Sequence, residues 1–529
     1  MSDYDLIVRD GVVVDGSGAP PFRKDIGVIG DTIVKIGDLS GRAAEEVVDA
    51  EGLAVAPGFV DIHNHSDGDL FLLPTADNYV TQGVTTVVVG NCGYSLAPLT
   101  ERNREFMELS EAEFVREFGR IPWRSFREYL DLLDGLEKSL NVATLVGHGT
   151  VRGAVLGTED VRPSEKQLGE MRELVEEALR DGAFGMSSGL IYVPGVFSEI
   201  SELAELAKAV AAYGGVYATH MRNEGVGLMD AVIEAVEVGL RSGVSLEISH
   251  VKAAGTPAWG GVEKVLSIIE EYAGRGYDIS ADAYPYAASS TGLEALLPSW
   301  VRDGGLGKMV QRLSNPTTLE VLQKELNRYG IPEEGHTDWD KIRISYSGSH
   351  PEVLGRSIEE VSRMWDADPV QTIAKLLVGD GGSTRVIIHT MSEDDVSRAV
   401  AHPLVAIGSD GAVHKPGNSM PHPRSYGTFP RVIAKYVRET KTLSLAEAIR
   451  KMTSLPARKL GLWDRGLIRP GLKADLVIFN HNTIKDRATY EDPCTHSSGV
   501  EYLIVNGGLV IRDGELTRAR PGRLLRRRA

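Results

Sequence analysis

Between residues 55 and 410 the chain alternates short apolar runs with longer stretches in which apolar and polar positions mix. The short runs are the one ending at Asp61, then Val84–Val89, Val142–Val146, Ala183–Met186, Val216–Thr219, Ser245–Ile248, Ile279–Ala281 and Val405–Ile407. Near-continuous apolar runs suit strands buried on both faces, and helix-like segments between them imply βα units and a parallel sheet. The helices have readable ends. Ser164 with Gln167 forms a capping box, opening a helix through Leu174–Leu179 that stops at Gly182. Leu203 to Ala212, closed by Gly214-Gly215, reads as another helix, and Val262 to Tyr272 as a third. Eight strands with interleaved helices predict an α/β fold, a (β/α)8 (TIM) barrel with insertions. A doubly wound sheet shares that alternation, so periodicity leaves it open. The stretch 290–345 breaks the rhythm and predicts a helical insertion over the barrel mouth.

The chain ends have a different texture. Residues 5–55 hold short alternating segments such as Leu6-Ile7-Val8 and Thr32–Ile36, punctuated by Gly and Asp, as in hairpins. A similar pattern returns in Ala474–Phe479 and Tyr502–Ile511. The expected division is therefore 1–54 and 470–529 as β modules flanking a core of 55–469.

Composition narrows the classes. The 529 residues are 42% hydrophobic and 25% charged, ordinary for a globular chain with a sizeable core. A formal charge of −17 argues against nucleic acid or an anionic membrane as partner, leaving a small molecule. No run approaches the ~20 apolar residues that cross a bilayer. The N-terminus shows no basic-then-apolar leader, and two cysteines, Cys92 and Cys494, make no disulfide framework. A cytoplasmic location is expected, with the basic tail Arg523–Arg528 as a solvated terminus.

In such a barrel the chemistry lies where the strands end. After the first strand comes Asp61-Ile62-His63-Asn64-His65, whose H-x-H spacing aims two imidazoles the same way. Cys92 follows the second strand in Gly90-Asn91-Cys92-Gly93, His220 the fifth, His250 the sixth and Asp410 the eighth. His148, Asp282 and His389 stand in similar positions. His, Cys and carboxylate are zinc ligands. A Cys-His-His set makes one tight site with a place for water, and His63, His65 and Asp410 a weaker one sharing the Cys92 thiolate. Zinc brings the pKa of bound water to about 7, giving hydroxide at neutral pH. Asp410 can take that water's proton and later deliver it to a leaving group. The expectation is a metal hydrolase whose substrate spacing alone does not reveal. Gly185-Met186-Ser187-Ser188-Gly189 matches the G-x-S-x-G nucleophile elbow, but Pro194 and Gly195 follow where the elbow needs a helix. No P-loop or G-x-G-x-x-G appears.

The H-x-H and the histidines and aspartate after the fifth, sixth and eighth strands resemble the metal-dependent amidohydrolase superfamily. More narrowly, the chain resembles the N-acyl-D-amino-acid deacylases (D-aminoacylases). The resemblance rests on Gly90–Gly93, Gly185–Tyr192, Ser249–Lys252, Asp282–Tyr286, Gly408–Gly411, His422–Gly427 and Lys451–Ala457, and spans nearly the whole chain. It implies a distorted (β/α)8 barrel with a small β-sandwich built from both termini. It implies zinc held tightly by Cys92, His220 and His250, a weak or partial second site at His63 and His65, and Asp410 as general acid/base. The ring-opening relatives carry a carboxylated lysine on strand four. Gly182–Gly189 holds no lysine here, leaving the Cys92 thiolate to balance the metal charge. The resemblance further implies that Lys252, Tyr284 and Ser290 receive the substrate's α-carboxylate, with Ser289 as the alternative serine and Tyr192 as a further contact. The function so implied is zinc-dependent hydrolysis of N-acyl-D-amino acids to a carboxylate and a free D-amino acid. Another amidohydrolase, dipeptidase-like or acting on cyclic amides, and a non-catalytic metal-binding relative are the alternatives. The side chain and acyl group preferred, the number of metals in use and the oligomeric state stay open.

Overall fold

The computed structural model describes residues 2–415, 417 and 419–527. It is an α/β fold with parallel and antiparallel sheets. Its centre is eight parallel strands: β1 (Phe59–Asp61), β2 (Val84–Val89), β3 (Asn141–Thr144, resuming at Val146–Gly147), β4 (Gly185–Gly189), β5 (Val216–His220), β6 (Ser245–Ile248), β7 (Ile279–Ala283) and β8 (Val405–Ile407). The valine-rich β2 is buried at all six positions, as its apolar run requires. One sheet orders β3-β2-β1 and a second runs from the end of β3 through β4, β5, β6 and β7 to β8. Leu145, in the break within β3, donates its N–H to Val89 O at 2.8 Å. The ends of β8 and β1 meet through a parallel bridge between Asn64 and Gly411. There Asp410 N–H donates to His63 O and His65 N–H to Gly411 O, both at 2.8 Å.

Between these strands the helices bury one face. The helix Glu165–Asp181 opens with the Ser164–Gln167 capping box and ends at Gly182 with φ 119°, burying Met171, Val175, Ala178 and Leu179. That spacing of four, three and one residues keeps the buried side chains on one stripe.

The two chain ends share one core. Tyr4–Arg9, Asp25–Ile29, Thr32–Gly37 and Ala44–Asp49 form a four-stranded sheet. Ala54–Pro57 pairs antiparallel with Leu476–Phe479 inside a seven-stranded sheet drawn from both termini. Leu6, Val8, Ile26 and Val28 from the first sheet pack with Val13, Val55, Leu476, Ile478 and Ile504 from the second. The C-terminal tail departs from the solvated terminus expected. Val142 N–H donates to Arg523 O and Leu525 N–H to Val142 O, so the tail through Arg527 lies along β3. Leu524 and Leu525 supply the apolar anchor, a signal that the flanking arginines hide in sequence.

The segment that interrupts the rhythm runs from Ser289 to Ile388 and is not helix alone, unlike the helical 290–345 expected. Ser289–Gly292 and Ile342–Tyr346 both pair antiparallel with Arg385–Ile388. Ile342, Ile344, Val386 and Ile388 join Leu322, Leu326, Ile373 and Leu377 in a separate core. The pairing strand lies about 40 residues past its partner, beyond any local pattern.

Candidate metal centre

Three residues at the strand ends hold left-handed backbone conformations: Cys92 (φ 51°), His250 (φ 34°) and Asp410 (φ 51°). Non-glycine residues avoid this region unless surrounding structure enforces it, and such strain concentrates at functional sites. The Cys92 turn is held by close backbone approach to β4. A Cβ at Gly189 would stand 2.0 Å from Cys92 O, so glycine is required there. Ser187, the elbow serine, is buried and donates to Gly90 O while accepting from Gly93 N–H at 2.9 Å. No helix follows β4 directly; a loop with a short 3-10 turn at Gly195–Phe197 precedes the helix Ile200–Ala212. Ser187 therefore ties down the cysteine turn.

The side chains converge. Cys92 Sγ lies 3.3 Å from His63 Nε2 and 3.3 Å from His250 Nε2. Asp410 Oδ1 lies 3.0 Å from His65 Nε2 and 3.5 Å from His63 Nε2. Ligand atoms of His63, Cys92, His250 and Asp410 fall within 4.8 Å of one another, as do those of His220, Glu224 and His250. Both ring nitrogens of His220 are buried without a hydrogen-bond partner. A buried imidazole with neither nitrogen satisfied is costly alone and fits a metal ligand. The donor set of thiolate, imidazoles and carboxylate fits zinc. Asp282 holds His63 through Nδ1 at 3.2 Å, the outer partner that fixes a ligand histidine's ring.

Electrostatics agree with this set. Burial opposes ionisation of Cys92, yet His63, His250 and His65 hold its thiol well below the ordinary value, giving a thiolate. Burial likewise opposes ionisation of Asp410, but Arg424, His250 and His63 hold it well below the usual carboxylate range. Arg424 Nη1 stands 2.7 Å from Asp410 Oδ2. Asp410 is thus held as an anion.

Two charged residues here were not singled out from sequence. Glu224 lies four residues past His220, in the loop after β5, and is 3% exposed. Its Oε1 is 2.9 Å from His250 Nδ1 and its Oε2 2.7 Å from Lys252 Nζ. Burial opposes its charge, but Lys252, His250 and His220 bring its pKa down to about 2. Arg424 sits within His422–Gly427, a segment noted for resemblance without a role. The spacing of Glu224 from a candidate ligand was the one available signal.

A cavity of about 1030 Å³ opens on this centre and is lined by His65, Cys92, Tyr192, His220, His250, Lys252, Ser290 and Asp410. Lys252 is committed to Glu224 and also lies 2.7 Å from His250 Nδ1. Tyr192 hydroxyl meets Thr291 Oγ1 at 3.0 Å, and Arg424 donates to Ser290 O at 3.2 Å. Tyr284 is absent from the described lining residues: its hydroxyl faces Met391 Sδ at 3.6 Å, and its ring lies 4.8 Å from the Arg424 guanidinium. His148 and His389 stand apart from the cluster. His148 pairs with Glu202 at 2.8 Å, and His389 packs on the Tyr490 ring.

A parallel-strand α/β core with a thiolate, histidines and a carboxylate at its strand ends defines a metal-binding hydrolase class. The amidohydrolase family pattern matches residues 46–511. The chain is 37% identical to an N-acyl-D-glutamate deacylase and 36% identical to a D-aminoacylase, both of Alcaligenes xylosoxydans xylosoxydans, over 99% of its length and 97% and 98% of theirs. The crystal structure of N-acyl-D-glutamate deacylase from Bordetella bronchiseptica, complexed with zinc and a phosphonate mimic of the tetrahedral intermediate, superposes with a TM-score of 0.84 at 33% identity, covering 99% of each chain. The chain therefore belongs to the amidohydrolase family, in its N-acyl-D-amino-acid deacylase branch.

Proposed function

We propose that the protein is a zinc-dependent deacylase of N-acyl-D-amino acids, adding water across the amide to release a carboxylate and a free D-amino acid. The observation that carries this reading is the convergence of Cys92, His63, His250 and Asp410 in a chain of this family. Cys92, His220 and His250 would hold zinc tightly, and His63 and His65, beside Asp410, a weaker second ion. When bound, zinc acidifies water and polarises a carbonyl. Asp410, held anionic by Arg424, takes the proton of the attacking water and returns it to the leaving nitrogen. Lys252 and Ser290 receive the α-carboxylate, with Tyr192 beside them and Arg424 adding a second cation behind Ser290, while Tyr284, set back from the lining, supports Arg424 with its ring. A Lys–Glu224 pair that opens toward a substrate carboxylate keeps every buried charge partnered.

The architecture is read as a distorted (β/α)8 barrel over 55–469 with a β-sandwich from 1–54 and 470–529. The break at Leu145 and the loop-mediated junction of β8 with β1 support the distortion. No described helix is long and apolar enough to cross a membrane. A cytoplasmic location belongs to the same proposal, because a reducing compartment keeps the Cys92 thiolate available.

The test is a screen of N-acetyl-D- and N-acetyl-L-amino acids across side-chain types, with zinc quantified in protein purified without chelator. Turnover confined to D substrates by zinc-loaded protein is expected. Absence of zinc, or turnover of L substrates alone, overturns the reading.

A further inference from the structure

The cavity volume of about 1030 Å³ sits at the upper end of the roughly 300–1,000 Å³ of small-molecule pockets. Its lining holds cationic groups on one side and carboxyls on another. On the first side stand Lys252 and Arg424. On the second stand Asp67 and Asp69, from the loop after His65 and the short helix it enters, and Glu111, between two helices after β2. The metal centre lies between them. Arg424 touches Asp410, Asp410 touches His65, and Asp67 follows His65 by two residues.

Among the described residues none of these three carboxyls is held in an ion pair, although Arg116 and Arg385 line the same cavity. The Glu111 carboxylate lies on Gly68, between the two aspartates: a Cβ on Gly68 would stand 2.1 Å from Glu111 Oε2. Tyr94 donates its hydroxyl to Glu111 Oε1 at 2.9 Å. Among the described residues no Lys, Arg or His forms an ion pair with Asp67, Asp69 or Glu111, whereas Asp410 and Glu224 each have several cationic neighbours. Asp67 is 3% exposed, and its Oδ1 is buried with no hydrogen-bond partner. Arg385, exposed on the insertion, acts on Asp69 and Glu111 only through space. Burial, with the neighbouring carboxylates Glu113 and Asp67, pushes Asp69 up to about 7, and burial with Asp69 and Asp67 pushes Glu111 up to about 8. Like charges gathered in a partly buried wall are unfavourable, and a bound cation relieves them. The three carboxyls do not bring their oxygens into one metal-sized cluster, in contrast to the centre itself. That spread suits an ammonium group better than a bare ion.

We propose that Asp67, Asp69 and Glu111 form an ammonium-recognising acyl subsite, so that the preferred substrates are D-amino acids whose N-acyl group carries a positively charged amine. Dipeptides ending in a D residue belong to this class. The subsite rests on the N-acyl-D-amino-acid reading: with the α-carboxylate at the cationic side and the scissile amide at the metal centre, the acyl group extends toward the acids. Hydrolysis breaks the amide C–N bond, water supplying hydroxyl to the acyl carbon and a proton to the released D-amino acid's nitrogen.

The experiment compares kcat/KM for acetyl, glycyl, β-alanyl, 4-aminobutanoyl and succinyl derivatives of one D-amino acid. The proteins are the wild type, Asp69→Asn and Glu111→Gln, each checked for fold by its thermal melt. The amide of Glu111→Gln keeps an oxygen for Tyr94. The best aminoacyl derivative should exceed acetyl by about tenfold, succinyl should fall below acetyl, and either substitution should bring the aminoacyl-to-acetyl ratio close to one. Turnover of acetyl with no aminoacyl preference, or a preference that survives both substitutions, overturns the subsite alone. No turnover of any derivative overturns the deacylase reading and the subsite with it.

Discussion

His148 and His250 both follow central strands, both are buried, and both face a buried glutamate. Their surroundings separate them. Glu202, which holds His148 at 2.8 Å, is also paired with Arg152, and neither a cysteine nor a second histidine joins the group. Glu224 holds His250 through Nδ1 and leaves Nε2 facing the Cys92 thiolate, with His63 and Asp410 in the same cluster. One arrangement closes on itself and fastens a helix. The other leaves ligand atoms directed at a common point. A strand-end histidine becomes a site only where its free nitrogen meets others.

The largest effect that would break this contrast lies at Asp410. Asp410→Asn should lower kcat by about 10²–10⁴-fold, the usual worth of a positioned acid/base group, while metal analysis finds wild-type zinc. Near-normal turnover would remove Asp410 from its role. Cys92→Ala takes away a ligand, so zinc affinity measured by competition with a chelator should fall by more than about 100-fold, beyond the loss an outer partner gives. Unchanged affinity would separate the thiolate from the metal.

Glu224→Gln sharpens the comparison. It keeps shape while removing the charge that orients His250 and balances Lys252. Zinc affinity should fall by about 10–100-fold, read by the same competition. The smallest functional effect is expected at the control position. His148→Asn should leave zinc affinity and KM within about twofold while destabilising the fold by about 1–3 kcal/mol, through the buried partner it strands, as read by denaturant unfolding. A zinc effect at His148 as large as that at Glu224 would dissolve the distinction drawn between the two clusters.

Much of the framework was legible because it is local. β2, β6 and β8 occupy the runs that their apolar patterns mark, and the Ser164–Gln167 box opens the helix it announces. The H-x-H rings do face one carboxylate, Asp410, although both lie past the end of β1. The tail at Leu524 and the strand at Arg385–Ile388 escaped because their partners are distant in sequence. Glu111 escaped for the same reason, standing about 40 residues beyond the aspartates it joins.

The sequence by itself determined the types of the central elements, the order of candidate ligands along the strand ends, and the family. Each follows from short-range periodicity or from residue types at fixed offsets. The tertiary structure alone decided which charges are partnered. Glu224 neutralises Lys252, Arg424 neutralises Asp410, and Asp67, Asp69 and Glu111 stand together without an ion-pair partner among the described residues. Coulombic pairing depends on distance through space, and only the closing of β8 onto β1 and the return of the loops bring those groups within reach.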